Sequence, residues 1–225
     1  MDPKSVVKRI KEEGIDLVSI TDHNSILNLS SYSEVFRKEG ILFIYGMEVQ
    51  TEEEVHILTY FNSFEEIKPL YEMVYSSLPY VKNNPEIFGD QVIIDKDGEI
   101  IGFEEKLLLN SAEISLRDIL QIVKENNGVS ILAHVESPFG ILTQLGFIPD
   151  GLEFDFIEIS HSSHIDEVVR KYPFLKEYKI VSFSDAHYLK DIGRSFTLFE
   201  FDKWEKNILK TLLKAKIKVV RRRNG

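Results

Sequence analysis

Seven short runs of β-branched and aromatic residues, LVSI, ILFIYG, VHILTYF, VSILAH, FDFIEIS, YKIVSFS and SFTLFEF, recur along the chain between stretches of helical periodicity. A strand that is apolar throughout, without alternation, needs cover on both faces, which a parallel sheet flanked by helices supplies. The expected class is therefore α/β, an open sheet or a barrel, in a single domain spanning residues 1–225. Helix starts are legible between the runs. Asp2 and Pro3 open a helix that Gly14 closes. Ser31 with Glu34, Ser63 with Glu66, Ser115 with Asp118 and Asp202 with Glu205 have capping-box spacing and predict four more helices. Pro69 is expected to kink the third helix. One stretch breaks the rhythm: QVIIDKDGEIIGF, two apolar runs about a DKDG turn, predicts a β-hairpin inserted around 89–103.

The strand runs end on chemically capable residues. LVSI leads into Thr21, Asp22 and His23; ILFIYGM into Glu48; VSILA into His134; FIEIS carries Glu158 and leads into His161; IVSFS leads into Asp185 and His187. In a parallel α/β fold the C-terminal strand ends open on one face, where ligands and catalytic groups collect. The short TEEE segment can fold the next strand back and bring His56 beside Glu48. Imidazole and carboxylate together, with no cysteine anywhere in the chain, point to a borderline divalent metal such as Zn, Mn or Fe. Unmetallated, so many acids and histidines packed together would carry a heavy desolvation cost.

Each residue has a plainer reading by itself. Glu48 can be a surface carboxylate, Asp185 a helix cap, and the Glu52–Glu54 run a solvated turn. Four of the six histidines on one rim with two acids outweigh those separate readings. Around that rim, Arg194 is a candidate phosphate clamp and His161 a candidate ligand or phosphate contact. Both also read as ordinary surface groups, as do His164 and Tyr188.

Charge narrows the ligand. A net charge of −10 argues against general polyanion binding, which draws on clustered Lys and Arg. A small phosphorylated compound is thus favoured over long DNA or RNA. The basic run Arg221–Arg223 reads as a solvated tail. No apolar run approaches the roughly 18 residues of a membrane span, and MDPKSVVKRIKEEG lacks a signal-peptide core. The expectation is a cytoplasmic protein without membrane contact.

The ordered series "ITDHNS", "GMEVQTEEEVHIL", "ILAHVE", "FIEIS" and "FSDAH" resembles the polymerase-and-histidinol-phosphatase (PHP) family of metal-dependent phosphoesterases, from the first helix to about Phe201. The resemblance implies a distorted (β/α)7 barrel and a site for up to three divalent metals. It makes Glu48, His56 and His134 ligands of one metal, with Glu48 bridging to a second that Asp185 also binds, and His23 and His187 ligands of a third. Asp22 and Glu158 would orient ligands. Asp185, Glu48 and His187 would be the catalytic groups. Family members begin with a strand ending in His-x-His, which this sequence lacks, so the expectation is a missing N-terminal segment, a first barrel strand absent, and one metal site complete. Exposed strand edges would then invite contact with a second copy. A non-catalytic metal-binding or interaction module is the competing reading. An amidohydrolase ranks last, because no strand ends in Lys.

Overall fold

The carboxylate of Asp2 accepts the Ser5 N–H at 2.9 Å, Pro3 takes the first helical position, and Gly14 ends the first helix in the left-handed region. A computed structural model describes residues 1–222. In chain order the elements are α1 (Pro3–Glu13), β1 (Leu17–Ile20), α2 (Leu29–Lys38), β2 (Leu42–Gln50), β3 (His56–Phe61), α3 (Phe64–Ser77), α4 (Pro85–Phe88), β4 (Val92–Ile94), β5 (Ile100–Phe103), α5 (Leu116–Glu125), β6 (Val129–Leu132), α6 (Ile141–Gln144), β7 (Phe156–Glu158), α7 (Ile165–Lys171), β8 (Ile180–Val181), β9 (Ser195–Glu200), α8 (Ile208–Lys214) and β10 (Lys216–Arg221). Ser63 and Ser115 cap α3 and α5 as their spacing requires, and α3 continues through Pro69.

Two cap expectations are corrected. Helix α2 begins after Asn28, whose side chain makes no cap bond, and Ser31 instead donates to the Ile94 carbonyl. Helix α8 begins after Asn207, which accepts from Lys210 N, so Asp202 and Glu205 precede it. In both places the helix starts at an asparagine instead of the predicted serine or acid, and only Asn207 caps with its side chain.

A six-stranded sheet, ordered β1-β2-β3-β6-β7-β8, curls into half of a distorted barrel. Strand β3 runs antiparallel to both β2 and β6, the fold-back expected of the short TEEE segment, so the otherwise parallel sheet is mixed. The cause is the length of the connection. A parallel crossover needs about a dozen residues or more, and only Thr51–Val55 separates β2 from β3. The chain reverses there, with Thr51 N bonded to Val55 O. An antiparallel strand starts at the rim where its neighbours finish, so His56 opens β3 at the level where β2 ends on Gln50.

Both faces of this sheet are covered, which explains its unalternating sequences. Ile57 and Phe61 of β3 pack with α3 and α5 residues such as Leu70 and Ile119, while Leu58 and Tyr60 join Leu209 and Leu212 of α8. A third cluster packs α1 and α2 over β1 through Val6, Ile10 and Phe36. The SFTLFEF run is a strand, but it leaves the sheet to pair with β10. The solvated-tail expectation is corrected for Arg221. Its Nη2 donates to Ile159 O, Ser160 O and Ser182 Oγ at 3.2, 2.8 and 3.2 Å. Arg222 pairs with Glu13 and lies over the Phe196 ring. Arg223 lies outside the described residues. No helix among the described residues is long and apolar enough to cross a membrane.

The inserted hairpin forms as expected from β4 and β5. Two asparagines fasten this insertion to the loop after β1. Asn28 accepts from Ile94 N and donates to Val92 O; Asn24 donates to Leu108 O and Asn110 O and accepts from Gln50 N. Asn24 is fully buried with φ 48°, a left-handed conformation that asparagine tolerates better than most residues. Asn24→Ala removes three bonds, strands two partly buried carbonyls and keeps the unfavourable φ. It should lower the unfolding free energy by roughly 2–4 kcal/mol in urea denaturation. A loss under about 0.5 kcal/mol, typical of a surface change, would show that the insertion is not fastened there.

Candidate metal centre

Pairing between β1 and β2 continues past Ile20 as an isolated parallel bridge between His23 and Glu48. Asn24 N donates to Glu48 O at 2.8 Å and Glu48 N to Asp22 O at 3.3 Å. That backbone bridge sets the His23 ring beside the Glu48 carboxylate. From the other side, the reversed β3 delivers His56, and the residue two past the end of β6 is His134. Glu48 Oε1 lies 3.0 Å from His56 Nδ1 and 3.2 Å from His134 Nε2, while Oε2 lies 3.5 Å from His23 Nδ1. One buried carboxylate is thus shared by three imidazoles.

The rings are held from behind. His56 Nε2 lies 3.3 Å from Gln50 Oε1, an atom that can only accept, so the proton sits on Nε2. Nδ1 then presents its lone pair toward Glu48 and toward His134 Nε2, 3.2 Å away. Phe139 stacks on His56 at 4.7 Å and 8°, and its carbonyl accepts the His56 N–H. His134 takes φ 26°, an unusual value for a non-glycine residue and one found where surroundings over-determine the backbone. Here Glu158 Oε2 accepts its N–H at 3.1 Å, and Gly140 lies so close that a Cβ there would come within 2.3 Å of the His134 carbonyl.

Electrostatics follow from this packing. Burial alone would raise Glu48, but the surrounding imidazoles, above all the hydrogen bond from His134, hold it well below the carboxylate range. Burial opposes charge on His134 too, and is outweighed by Glu48, Glu158 and Asp185, which raise it to about 9. For His23 burial wins over the attraction of Glu48, and its pKa is lowered. Burial lifts Glu158 to about 7.

The donor set fits a borderline divalent cation. Nδ1 of both His23 and His134 is shielded from solvent without a hydrogen-bond partner. One ligand atom each from His23, Glu48 and His56 lie within 4.8 Å of one another. A lone pair on His56 Nδ1 facing a carboxylate is also a conflict that a cation would remove.

The other sequence candidates lie around this knot. Asp185 and His187 sit 3.7 Å apart, about half and two-thirds exposed, and no hydrogen bond or ion pair among the described residues joins them to the four. Their charges nevertheless reach His134 and His23. Arg194 is spent on its own loop, donating to Ser184 O and Asp185 O and pairing with Asp191. His161 feels the charges of Arg194 and Asp185, and its Nδ1 is buried without a partner. Asp22 accepts from Asn28 and feels His23 only through charge. Glu158 holds backbone N–H groups of His134 and Phe183, not a side chain. His164 precedes α7 without capping it, and Tyr188 is exposed.

Sequence reasoning passed over Gln50, Asn24 and Phe139. Gln50 had a signal: two residues beyond Glu48 on a strand, it must share that residue's face. Nothing local marks Phe139, whose ring reaches His56 through the 134–140 turn.

A family model described as the PHP domain matches residues 1–131. The uncharacterized protein MJ1587 of Methanocaldococcus jannaschii is 24% identical over 181 residues, 79% of this chain and 77% of that protein. Among solved structures, the lesion-specific endonuclease PfuEndoQ of Pyrococcus furiosus superposes with TM-score 0.67 at 20% identity, covering 96% of this chain and 53% of its own. Endonuclease Q in complex with a 27-mer duplex carrying an abasic lesion gives 0.65 at 18%, covering 95% and 52%. This chain therefore spans about half the length of the endonuclease Q chains. A Bifidobacterium adolescentis protein assigned as a metal-dependent phosphoesterase gives 0.57 at 16%, covering 83% and 82%.

Two outcomes are expected of the centre. In metal-free protein His134 has a folded pKa of about 9 against 6.5 unfolded, so its contribution to stability is complete below pH 6.5 and lost as pH rises toward 9. His23, lowered from 6.5, titrates in the opposite sense below that window. Calorimetry in chelator should show a falling midpoint from pH 6.5 to 9; a flat or rising one contradicts the assignment. Separately, Gln50→Leu should weaken metal binding by about 10–100-fold in isothermal titration, and an unchanged affinity would remove Gln50 from its orienting role.

Proposed function

The chain belongs to the PHP domain family, and from that premise we propose that it is a metal-dependent phosphoesterase acting on a small phosphate ester or nucleotide. The observation that carries the proposal is the single buried carboxylate shared by His23, His56 and His134 at one strand rim. These four would hold a first divalent cation, Zn, Mn or Fe. Asp185 and His187, on the adjoining loop, would hold further ones, to the family's maximum of three. A cation bound there supplies positive charge that polarises phosphoryl oxygens and acidifies a water.

The chain's own groups do the rest. Glu48, ionised across the working pH range, neutralises the cation and fixes the three imidazoles. Gln50 keeps the His56 proton on Nε2. Asp185, exposed at the rim, would accept a proton from the attacking water on a carboxylate oxygen that holds no cation, and His187 beside it would return one to the leaving oxygen in the state in which it binds no metal. His161, whose Nδ1 is buried without a partner, would contact phosphoryl oxygens; Arg194 would do so only by giving up its bonds to Ser184, Asp185 and Asp191. Glu158 fixes the backbone that carries His134 and Phe183.

A second reading has support of its own. The likeness to endonuclease Q runs over almost the whole chain, which weakens the case against nucleic acid made from charge, and a DNA phosphodiester is the alternative substrate. A non-catalytic metal module is the outcome if no ester is turned over.

Glu48→Gln should lower metal-stimulated hydrolysis by at least about a hundredfold, a loss of roughly 2.7 kcal/mol or more in transition-state stabilisation. The assay panel comprises mononucleotides, aryl phosphates and an abasic duplex. Unchanged metal-dependent turnover in the variant would overturn the proposal. Two or more metal ions per chain by elemental analysis are expected of the wild type.

A further inference from the structure

A cleft of about 490 Å³ runs from His23 and Asp22 outward beneath the inserted hairpin. Of the candidate metal centre it reaches His23 alone, beside Asp22; its walls include Leu27 from the loop after β1 and Phe88, Ile100, Leu108 and Leu109 from the insertion. Phe88, Ile100 and Leu109 remain 48%, 56% and 44% exposed. Apolar side chains left open on the wall of a polar-ended cleft of this size are the usual composition of a small-molecule site.

The wall is rigid with respect to the centre. Asn28 Nδ2 donates to both Asp22 Oδ2 and Val92 O, and its Oδ1 accepts from Ile94 N. Asn24, next to His23, holds Leu108 O and Asn110 O. Ser31 holds Ile94 O, and Lys4 pairs with Asp97 at the hairpin turn. A ligand group lying in the cleft is therefore at a fixed distance from His23, as a specificity wall requires.

Charge says which group. Asp2, Asp22 and Glu104 line the cleft, and none of its lining residues is Lys or Arg. A second phosphate or a polyanionic chain would meet three carboxylates there against the one amino group of Met1. We propose that the inserted segment is the substrate-selecting wall of the centre, and that the cleft takes an uncharged, ring-sized apolar group esterified to a single phosphate at the His23 end. The inference rests on the phosphoesterase reading for the phosphate, but the cleft's affinity for the ring does not.

The test is fluorescence titration of 1-naphthyl phosphate in chelator, where no turnover intervenes, with methyl phosphate as competitor. Naphthyl phosphate should bind at least tenfold more tightly than methyl phosphate. Ile100→Ser and Leu109→Ser, both at exposed positions, should each reduce that advantage by about five- to tenfold, as expected for losing one partly buried aliphatic contact. Ile101→Ser, more exposed and outside the cleft, should leave it unchanged. Equal affinity for the two esters, or an equal effect of Ile101→Ser, would overturn the proposal. Naphthyl binding intact with no ester hydrolysed under metal would overturn the phosphoesterase reading and keep the cleft. Hydrolysis that ignores the alcohol would do the reverse.

Discussion

Three imidazoles converge on one carboxylate, and that carboxylate is buried. A buried anion is costly unless it is paired and hydrogen-bonded. Glu48 meets that condition only because elements from three parts of the chain arrive together: the loop after β1, the start of β3 and the turn after β6. Loss of any one of them would leave charge unpaired in a site shielded from water. The fold at this rim is thus constrained by electrostatics as strongly as by apolar packing.

Geometry at the rim depends in turn on one reversed strand. With five residues between β2 and β3, the chain has room for a hairpin and none for a crossover. Gln50 and His56 then face each other as cross-strand partners, and the amide that fixes the imidazole proton comes from the strand that carries Glu48. A helical crossover here would have moved His56 to the far end of the sheet and left Glu48 without its shortest contact.

The insertion shows how a fold is adapted without altering its core. Its two strands pair only with each other, so the main sheet does not need them. What binds them to the centre is side-chain amide chemistry from Asn24 and Asn28, residues within five positions of His23. The same loop therefore delivers His23 inward and anchors an apolar wall outward, which couples the shape of the cleft to the position of the histidine–carboxylate cluster.

Much of this was legible in the sequence, because it depends on local pattern. Unalternating apolar runs imposed a sheet covered on both faces; Asp2, Ser63 and Ser115 marked helix starts; DKDG marked the hairpin; and residues at strand ends, His23, Glu48 and His134, declared a polar rim. Other features required distances that sequence does not carry. The cap at Asp202 failed because α8 starts later, at Asn207, which accepts from Lys210 N; the one at Ser31 failed because α2 starts earlier, after Asn28, whose amide is bonded more than sixty residues away in the hairpin. Arg221 looked like the start of a solvated tail, yet buried carbonyls after β7 needed a donor. Phe139 reached His56 only through the turn after His134. Periodicity and capping act over a few residues and can be read along the chain; which donor meets which acceptor across it is decided when the whole chain has packed.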